Sequence, residues 1–477
     1  MNSRARWLAL YVLCLGDLMI VLDGTIVNVA LPSIKDDLGL SETSLAWVVN
    51  AYLLTFGGFL LLGGRLGDLF GQRRMFLIGI SLFTVASLAC GIATSQEQLM
   101  VARAVQGLGG ALVSAVALSL VMTLFTEQAD RAKAMGIFGF VLSGGGVAGV
   151  LLGGVLTDVL NWHWIFLVNL PVGALVFALS LRLLPAAPGM AAGGRLDVAG
   201  ALTITGSLML AVYAIVNGNE TGWTSGETLG LLGGALALLA LFLAVEARIS
   251  APLVPLGLFR NRNISTANGV GILMAAGLFS YFFFSALYLQ RVLGYTPLEV
   301  GFAYLPSMVI WGAASLYSDK LVMRFGIRPP LVVGLGLMTL SLLLFARMPV
   351  EGDFLVDVLP ATLAVGLGAG IGFNPILLAA MSCVGPQEAG LASGVVNTSF
   401  MMGGALGLAV MVSLAASRTD TLVASGEGAV SALNSGYQIA FLVGAVFAAG
   451  AAVLGGLLLR PSEAQPHGEG EPATEAA

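Results

Sequence analysis

The chain has 477 residues, of which 57% are hydrophobic and only 10% charged, and its mean hydropathy is +0.94. Soluble domains carry about 25% charged residues, so an ordinary globular chain is excluded; unbroken apolar runs of about twenty residues, where a barrel would show short alternating segments, exclude transmembrane strands as well. An all-α polytopic membrane protein remains, and its net charge of -5 says little about partners because the sign of charge matters loop by loop.

From the N-terminus onward, apolar runs between charged or Gly/Pro-rich breaks predict fourteen transmembrane helices, centred near residues 19, 54, 84, 112, 147, 174, 207, 237, 280, 309, 338, 370, 405 and 449. The first run, Trp7 to Leu31, is too long for a signal-peptide core and contains Asp17 and Asp23, so it is expected to persist as a span. With the N-terminus in the cytoplasm, sixteen of the twenty-one basic residues fall on that side, Arg65, Arg73, Arg74, Arg195 and Arg262 among them. Only Lys35, Arg291, Arg347 and Arg418 fall outside, Arg103 lies within a span, and the outer loops are acidic: Asp36, Asp37, Glu42, Glu220, Glu227, Glu351 and Asp353. That bias sets the orientation, and an even number of spans brings both termini to the cytoplasm. Cys14, Cys90 and Cys383 lie in apolar runs without metal-like spacing and read as packing residues. The acidic tail 461–477 is expected to be disordered.

A shift of 255 positions lays Leu66, Phe70, Gly71 and Arg73 on Leu321, Phe325, Gly326 and Arg328, the first span on the ninth and the fifth on the thirteenth. Two parallel repeats follow. The expected domains are a six-helix bundle at 1–184, two inserted helices with linkers at 185–262, a second six-helix bundle at 263–460, and the tail.

Several features suggest chemistry. Gly64 to Arg74 is read as a short charged loop between spans 2 and 3, with Gly64 and Gly71 allowing close approach and sharp turning, Asp68 able to accept hydrogen bonds, and Arg73 and Arg74 behind it. The three lysines, Lys35, Lys133 and Lys320, follow Ile, Ala and Asp, so the chain has no Gly-Lys-Ser/Thr phosphate loop. The two histidines, His163 and His467, make no metal cluster; no cofactor, metal or nucleic acid is expected, and the chain is not read as an enzyme. An intramembrane charge costs roughly 2.5 to 3.5 kcal/mol on insertion scales, which makes Asp17 and Asp23 candidate functional groups. At about 1.5 Å per residue, Asp23 and Arg103 share a depth, while Asp17 lies nearer the midplane on a face with Gly24 and Asn28. Span 5 carries Gly145, Gly149, Gly153 and Gly154, which the close-packing rule assigns to a seam between the halves. Gly403, Gly404 and Gly407 in span 13 make a matching seam. Phe283 and Tyr288 in span 9, Met401 and Met402 in span 13, Asn28 and Gln106 are candidates for a substrate cavity suited to a large apolar ligand.

Several of these stretches resemble the major facilitator superfamily. Gly64-Arg65-Leu66-Gly67-Asp68-Leu69-Phe70-Gly71-Gln72-Arg73-Arg74 is similar to its signature between spans 2 and 3, and Arg103-Ala104-Val105-Gln106-Gly107 to its arginine motif. Leu22-Asp23-Gly24-Thr25-Ile26-Val27-Asn28-Val29-Ala30-Leu31-Pro32 and the 6+2+6 layout resemble the fourteen-span drug:proton antiporter branch, the EmrB/QacA type. The span 5 glycines resemble its antiporter motif, with Val150 at the usual proline. The resemblance implies the major facilitator fold and a monomeric, proton-coupled exporter of hydrophobic small molecules in a bacterial inner membrane, with Asp23 as proton carrier, Arg103 as its partner and Asp68 in a conformational role. Asp17 stands outside the family motif and is kept as the other candidate carrier. A static ion pair is the alternative reading of Asp23 and Arg103. Import by symport, or a non-transporting scaffold, are the alternatives for the whole chain.

Overall fold

The computed structural model describes residues 3–185, 196–249, 252–381, 384 and 389–460. Arg195, Cys383 and the tail 461–477 lie outside the described residues, as does the boundary drawn after residue 184 for most of its linker. Among the described residues fourteen helices are long and apolar enough to cross a membrane. We number them α1 Ser3–Leu38, α2 Glu42–Phe70, α3 Gln72–Gly91, α4 Gln96–Leu124, α5 Gln128–Val159, α6 Asn169–Leu183, α7 Val198–Thr221, α8 Gly226–Glu246, α9 Arg262–Leu287, α10 Pro297–Phe325, α11 Arg328–Phe345, α12 Leu359–Met381, α13 Ala389–Ala424 and α14 Ala429–Leu458. A one-turn helix, Trp164–Leu167, leads into α6, and π-helical turns at Tyr288–Val292 and Phe354–Val358 extend α9 and precede α12.

Hydrocarbon offers no partner for a bare backbone group, so each helix closes its own ladder and its polar caps sit at the ends. Ser41 and Ser225 oxygens accept from Ser44 N at 3.0 Å and Thr228 N at 3.1 Å, and Thr296 and Glu299 form a reciprocal box at the start of α10. One end of the bundle carries Arg65, Arg73, Arg74 and Arg131, the other Asp36, Asp37 and Glu42; we call them the basic and acidic ends.

The packing repeats. In the first half α1 lies on α5 and α6, α4 on α2 and α3, and α3 on α6; in the second α9 lies on α13 and α14, α12 on α10 and α11, and α11 on α14. Gly71 and Gly326, which the sequence repeat superposes, both take left-handed φ of 96° and 79° between consecutive helices. The charged stretch around Gly71 is not a loop: Gly64 to Phe70 are the last turns of α2, α3 resumes at Gln72, and Gly71 alone makes the corner.

The span 5 glycines also depart from expectation. A Cβ on Gly145 would meet Leu18 at 2.7 Å, one on Gly149 the carbonyl of Leu22 at 3.1 Å, and one on Gly153 Ile26 at 2.9 Å. They form the α1–α5 seam inside the first half. Gly154 faces across the halves, against Pro297 O at 2.8 Å, where Gly301 meets Val150 O at 3.2 Å in return, and a Cβ on the neighbouring Gly146 would lie 3.9 Å from Met308 of α10. Gly403, Gly404 and Gly407 likewise pack α13 on α9, against Ile272, Phe279 and Ala276.

Between the halves α2 packs on α13, α5 on α10 and α1 on α9. Contact is firm at the acidic end, where Gln290 Nε2 donates to Val29 O at 2.8 Å and Arg291 pairs with Asp36. Nothing lies within 4 Å of a Cβ built on Gly136, Gly139, Gly144 or Gly312 on α5 and α10, whereas α2 and α13 stay close in their basic halves, where a Cβ on Gly394 would meet Leu61 at 2.7 Å. The inserted α7 wedges against both α2 and α13, with Asn219 Nδ2 donating to Ser413 O at 2.6 Å, while α8 packs on α7. Only 17% of the most apolar stretch of α8 is buried against 78% for α2, so α8 turns its surface to lipid.

Candidate proton and substrate sites

α1 delivers Asp23 into the interior of the first half, where α3, α4 and α6 converge on it. Arg103 Nη1 donates to Asp23 Oδ2 at 2.6 Å, and Gln106 Nε2 and Asn169 Nδ2 donate to Oδ1 at 2.7 and 3.0 Å. Both amides also reach Ser87 Oγ, at 2.8 and 3.3 Å, and Gln106 Oε1 accepts from Arg103 Nη1 at 2.7 Å and from Cys90 Sγ at 3.6 Å. Arg103 is held in turn by Val48 O at 2.9 Å and by the faces of Tyr52 and Phe166, with ring centroids 4.4 and 5.6 Å from its guanidinium carbon. Asp23 is 0% exposed and Arg103 1%. A fully desolvated ion pair survives only with its remaining donors and lone pairs occupied, and this one has all three Asp23 donors in place. Its chemistry is that of a switchable carboxylate: adding a proton to Oδ2 removes the charge that holds Arg103, and the five donors of a guanidinium must then find other acceptors.

Asp17 lies about two turns toward the basic end on the same helix. Ser114 Oγ donates to its Oδ1, and among the described residues no cation pairs with it. The two aspartates thus occupy different environments, one clamped by a cation and two amides, the other by a single hydroxyl.

Gln106 belongs to the Asp23 network and not to a cavity wall. Asn28 turns its amide back on its own helix, to Gly24 O at 3.1 Å. Phe283 and Tyr288 are also corrected: both are buried in the second half, Phe283 edge-on to Phe284 with centroids 5.2 Å apart, and Tyr288 with its hydroxyl donating to Pro349 O at 2.8 Å at the acidic end. Successive helical residues point about 100° apart, so the three rings meet different surroundings, and of Phe282, Phe283 and Phe284 Phe282 alone is not fully buried. Phe282 stacks on Trp311 of α10, centroids 6.3 Å and planes 20° apart, and both are half-buried. Phe279 and Phe373 flank Phe400, 5.9 and 5.2 Å away. Met401 and Met402 lie beside α2, where a Cβ on Gly57 would meet Met401 at 2.9 Å.

At the α2–α3 corner, Gly63 and Gly67 make the close approach to α4, with Ala111 O at 3.1 Å and Val116 at 2.9 Å of a built Cβ, whereas Gly64 has only Ala115 at 3.9 Å. Arg73 donates to Leu181 O and Gln72 Nε2 to Ser119 Oγ at 2.6 Å. Arg74 and Asp68 are exposed, and among the described residues Asp68 makes neither hydrogen bond nor ion pair. Its clasping role has no contact here.

Sequence reasoning missed Ser87, Asn169, Ser114, Trp311, Phe373 and Phe400. The first three are single polar residues on separate helices with no local pattern to mark them, and the aromatics are ordinary members of apolar runs.

The family model described as Major Facilitator Superfamily matches residues 13–408. The puromycin resistance protein pur8 of Streptomyces alboniger is 40% identical over 95% of this chain and 90% of its own. The cephamycin export protein CmcT of Amycolatopsis lactamdurans is 37% identical over 96% and 94%, and the multidrug resistance protein Stp of Mycobacterium tuberculosis 38% over 90% and 79%. Among solved structures, a bacterial homolog of the human lysosomal transporter Spinster, in an inward-facing and unoccupied conformation, superposes with a TM-score of 0.69 at 17% identity, covering 96% of this chain and 98% of that one. The nucleoside transporter NupG gives 0.68 at 14%, covering 95% and 100%. With a fourteen-helix, twofold-repeated bundle, a family match over most of its length and relatives this similar from end to end, the chain belongs to the Major Facilitator Superfamily.

Proposed function

We propose that this chain exports hydrophobic small molecules, antibiotics and dyes among them, across a bacterial cytoplasmic membrane in exchange for protons, with both termini in the cytoplasm and one chain as the transport unit. The observation that carries the reading is the Asp23–Arg103 pair, a titratable group buried inside the half of the bundle that must rock, in a chain whose curated relatives are named for antibiotic resistance and export. The division at 1–184, 185–262 and 263–460 follows the same logic: two bundles move against each other and α7 spans their seam.

Contacts between the halves at the acidic end favour entry of substrate from the cytoplasm, where it meets the half-buried face of Phe282 and Trp311. Asp23 is sealed from both sides and exchanges its proton only when α1 shifts against α4 and α6. Asp17, closer to the basic end, serves as the step between Asp23 and the cytoplasm. When Asp23 accepts a proton from outside, its hold on Arg103 is released, and α4 becomes free to move relative to α1. One proton entering down 100 mV supplies about 2.3 kcal/mol, roughly fiftyfold in concentration ratio at about 1.4 kcal/mol per decade.

The test is accumulation of a fluorescent drug by intact cells with and without an uncoupler. Export predicts a rise on uncoupling; a fall identifies an importer, and no change a non-transporting protein. Reporters fused after Arg74, Arg262 and Arg460 should read cytoplasm and one after Glu220 the exterior; an exterior Arg262 reporter would overturn the topology.

A further inference from the structure

The inserted hairpin carries a second acidic feature far from Asp23. Asp197 caps α7, its Oδ1 accepting from Gly200 N at 2.7 Å, and Glu246 ends α8, its Oε2 accepting from Val254 N at 3.2 Å. The other two oxygens, Asp197 Oδ2 and Glu246 Oε1, are buried and find no donor, and the two residues are 2% and 4% exposed. They face each other: a Cβ on Gly200 would collide with Asp197 Oδ2 and lie 2.9 Å from Glu246 Oε1, and the two side chains are within hydrogen-bonding reach. Arg65 and Asp68 on α2 and Arg248 beyond α8 are exposed, and among the described residues no arginine or lysine pairs with either acid. Two dry carboxylates with no cation paired to them among the described residues do not both stay ionised; a single proton between the orphaned oxygens satisfies both.

We propose that Asp197 and Glu246 form a proton-binding site, separate from the transport site, that fastens the inserted hairpin and the segment at 253–254 to the basic end of α2 when occupied and loosens them when empty. Binding adds one proton to one carboxylate, giving a carboxyl group that donates to its neighbour, with no other bond made or broken. The location sets the consequence. Ala201 and Leu253, beside the two acids, pack with Leu62, and Phe59 and Leu66 close the same small apolar cluster, so the acids hold the hairpin to the helix that ends in the Gly71 corner. The docked form binds one more proton than the loosened form, so docking weakens as pH at this end rises. The site would therefore report the pH of the compartment facing the basic end, and free α2 when that compartment is alkaline.

The experiment uses the full chain in lipid nanodiscs, with the proton itself as probe. Infrared difference spectra on raising pH from mildly acidic to mildly alkaline should show loss of a carboxyl C=O band that is absent in Glu246→Gln and in Asp197→Asn but retained in Asp23→Asn and Asp17→Asn. Disulfide cross-linking between Leu62→Cys and Ala201→Cys should fall several-fold over the same range, and become insensitive to pH when Glu246→Gln, which imitates the occupied state, is added. If no band is assigned to either residue, or if cross-linking is equally efficient at both pH values with the acids intact, the proposal is overturned. Because Asp23→Asn leaves this readout untouched, failure here is distinct from failure of proton-driven export.

Discussion

The two halves share one helix plan and differ in what fills it. Where the first half places Asp23, Arg103 and Gln106, the repeat places Leu278, Val358 and Ala361, all buried and none able to hold a charge. In their stead the second half is built on rings: Tyr281 touches Tyr304 and Phe345, Phe345 touches Phe441, and Phe284 touches Tyr437, with centroid separations of 4.9 to 6.2 Å. The backbone repeat therefore supplies symmetric movement while the side chains divide the labour. A buried charge network is costly to assemble and has discrete states set by its proton, which suits an energy input. Aromatic surfaces bind by area and tolerate varied shapes, which suits a loosely defined ligand.

That contrast can be broken most severely at Arg103. Arg103→Ala removes the only cation from Asp23 and leaves a carboxylate in a dry site, a loss of about 3–5 kcal/mol for a severed buried pair; membrane abundance and transport should both fall, measured by immunoblot and drug efflux. Abundance at the wild-type level would mean that the pair is less buried than it is drawn here. On the other side of the comparison, Phe282→Ala and Trp311→Ala should leave abundance and pH dependence unchanged but alter which drugs are exported, by several-fold in half-saturation and unequally between planar and aliphatic compounds. Equal loss for every drug would place those rings in the mechanism and not in the ligand surface. The smallest effect belongs to the seam between the halves: Arg291→Ala removes a partly exposed ion pair with Asp36, worth about 0–1 kcal/mol. It should shift the population toward acidic-end opening by no more than a few-fold, read by cysteine accessibility at Val29 or Gln290.

Much of this was legible in the sequence, for identifiable reasons. Span number follows from bilayer thickness, and the repeat from the matched Gly71 and Gly326 corners. Glycine spacing in span 5 announced close packing, yet spacing says that something approaches and not what; for Gly145, Gly149 and Gly153 the partner proved to be α1, while Gly154 looks across the halves. Asp23 and Arg103 could be placed at one depth from helical rise alone, but Ser87 and Asn169 join them only through the tertiary arrangement. Gln106 was visible as a polar residue one turn from Arg103, and that same spacing turned it into the network and away from the cavity. Phe283 and Tyr288 were chosen from a run in which direction, not composition, decides exposure.

The central claim is that the Asp23 proton drives export. In proteoliposomes with an imposed pH gradient, and with transport normalised to the protein recovered, Asp23→Asn should bind drug and yet fail to concentrate it, since asparagine keeps the size and an oxygen to accept from Gln106 and Asn169 but offers Arg103 no charge and exchanges no proton. Uphill drug transport by Asp23→Asn at the wild-type rate would contradict the claim and transfer the role to Asp17.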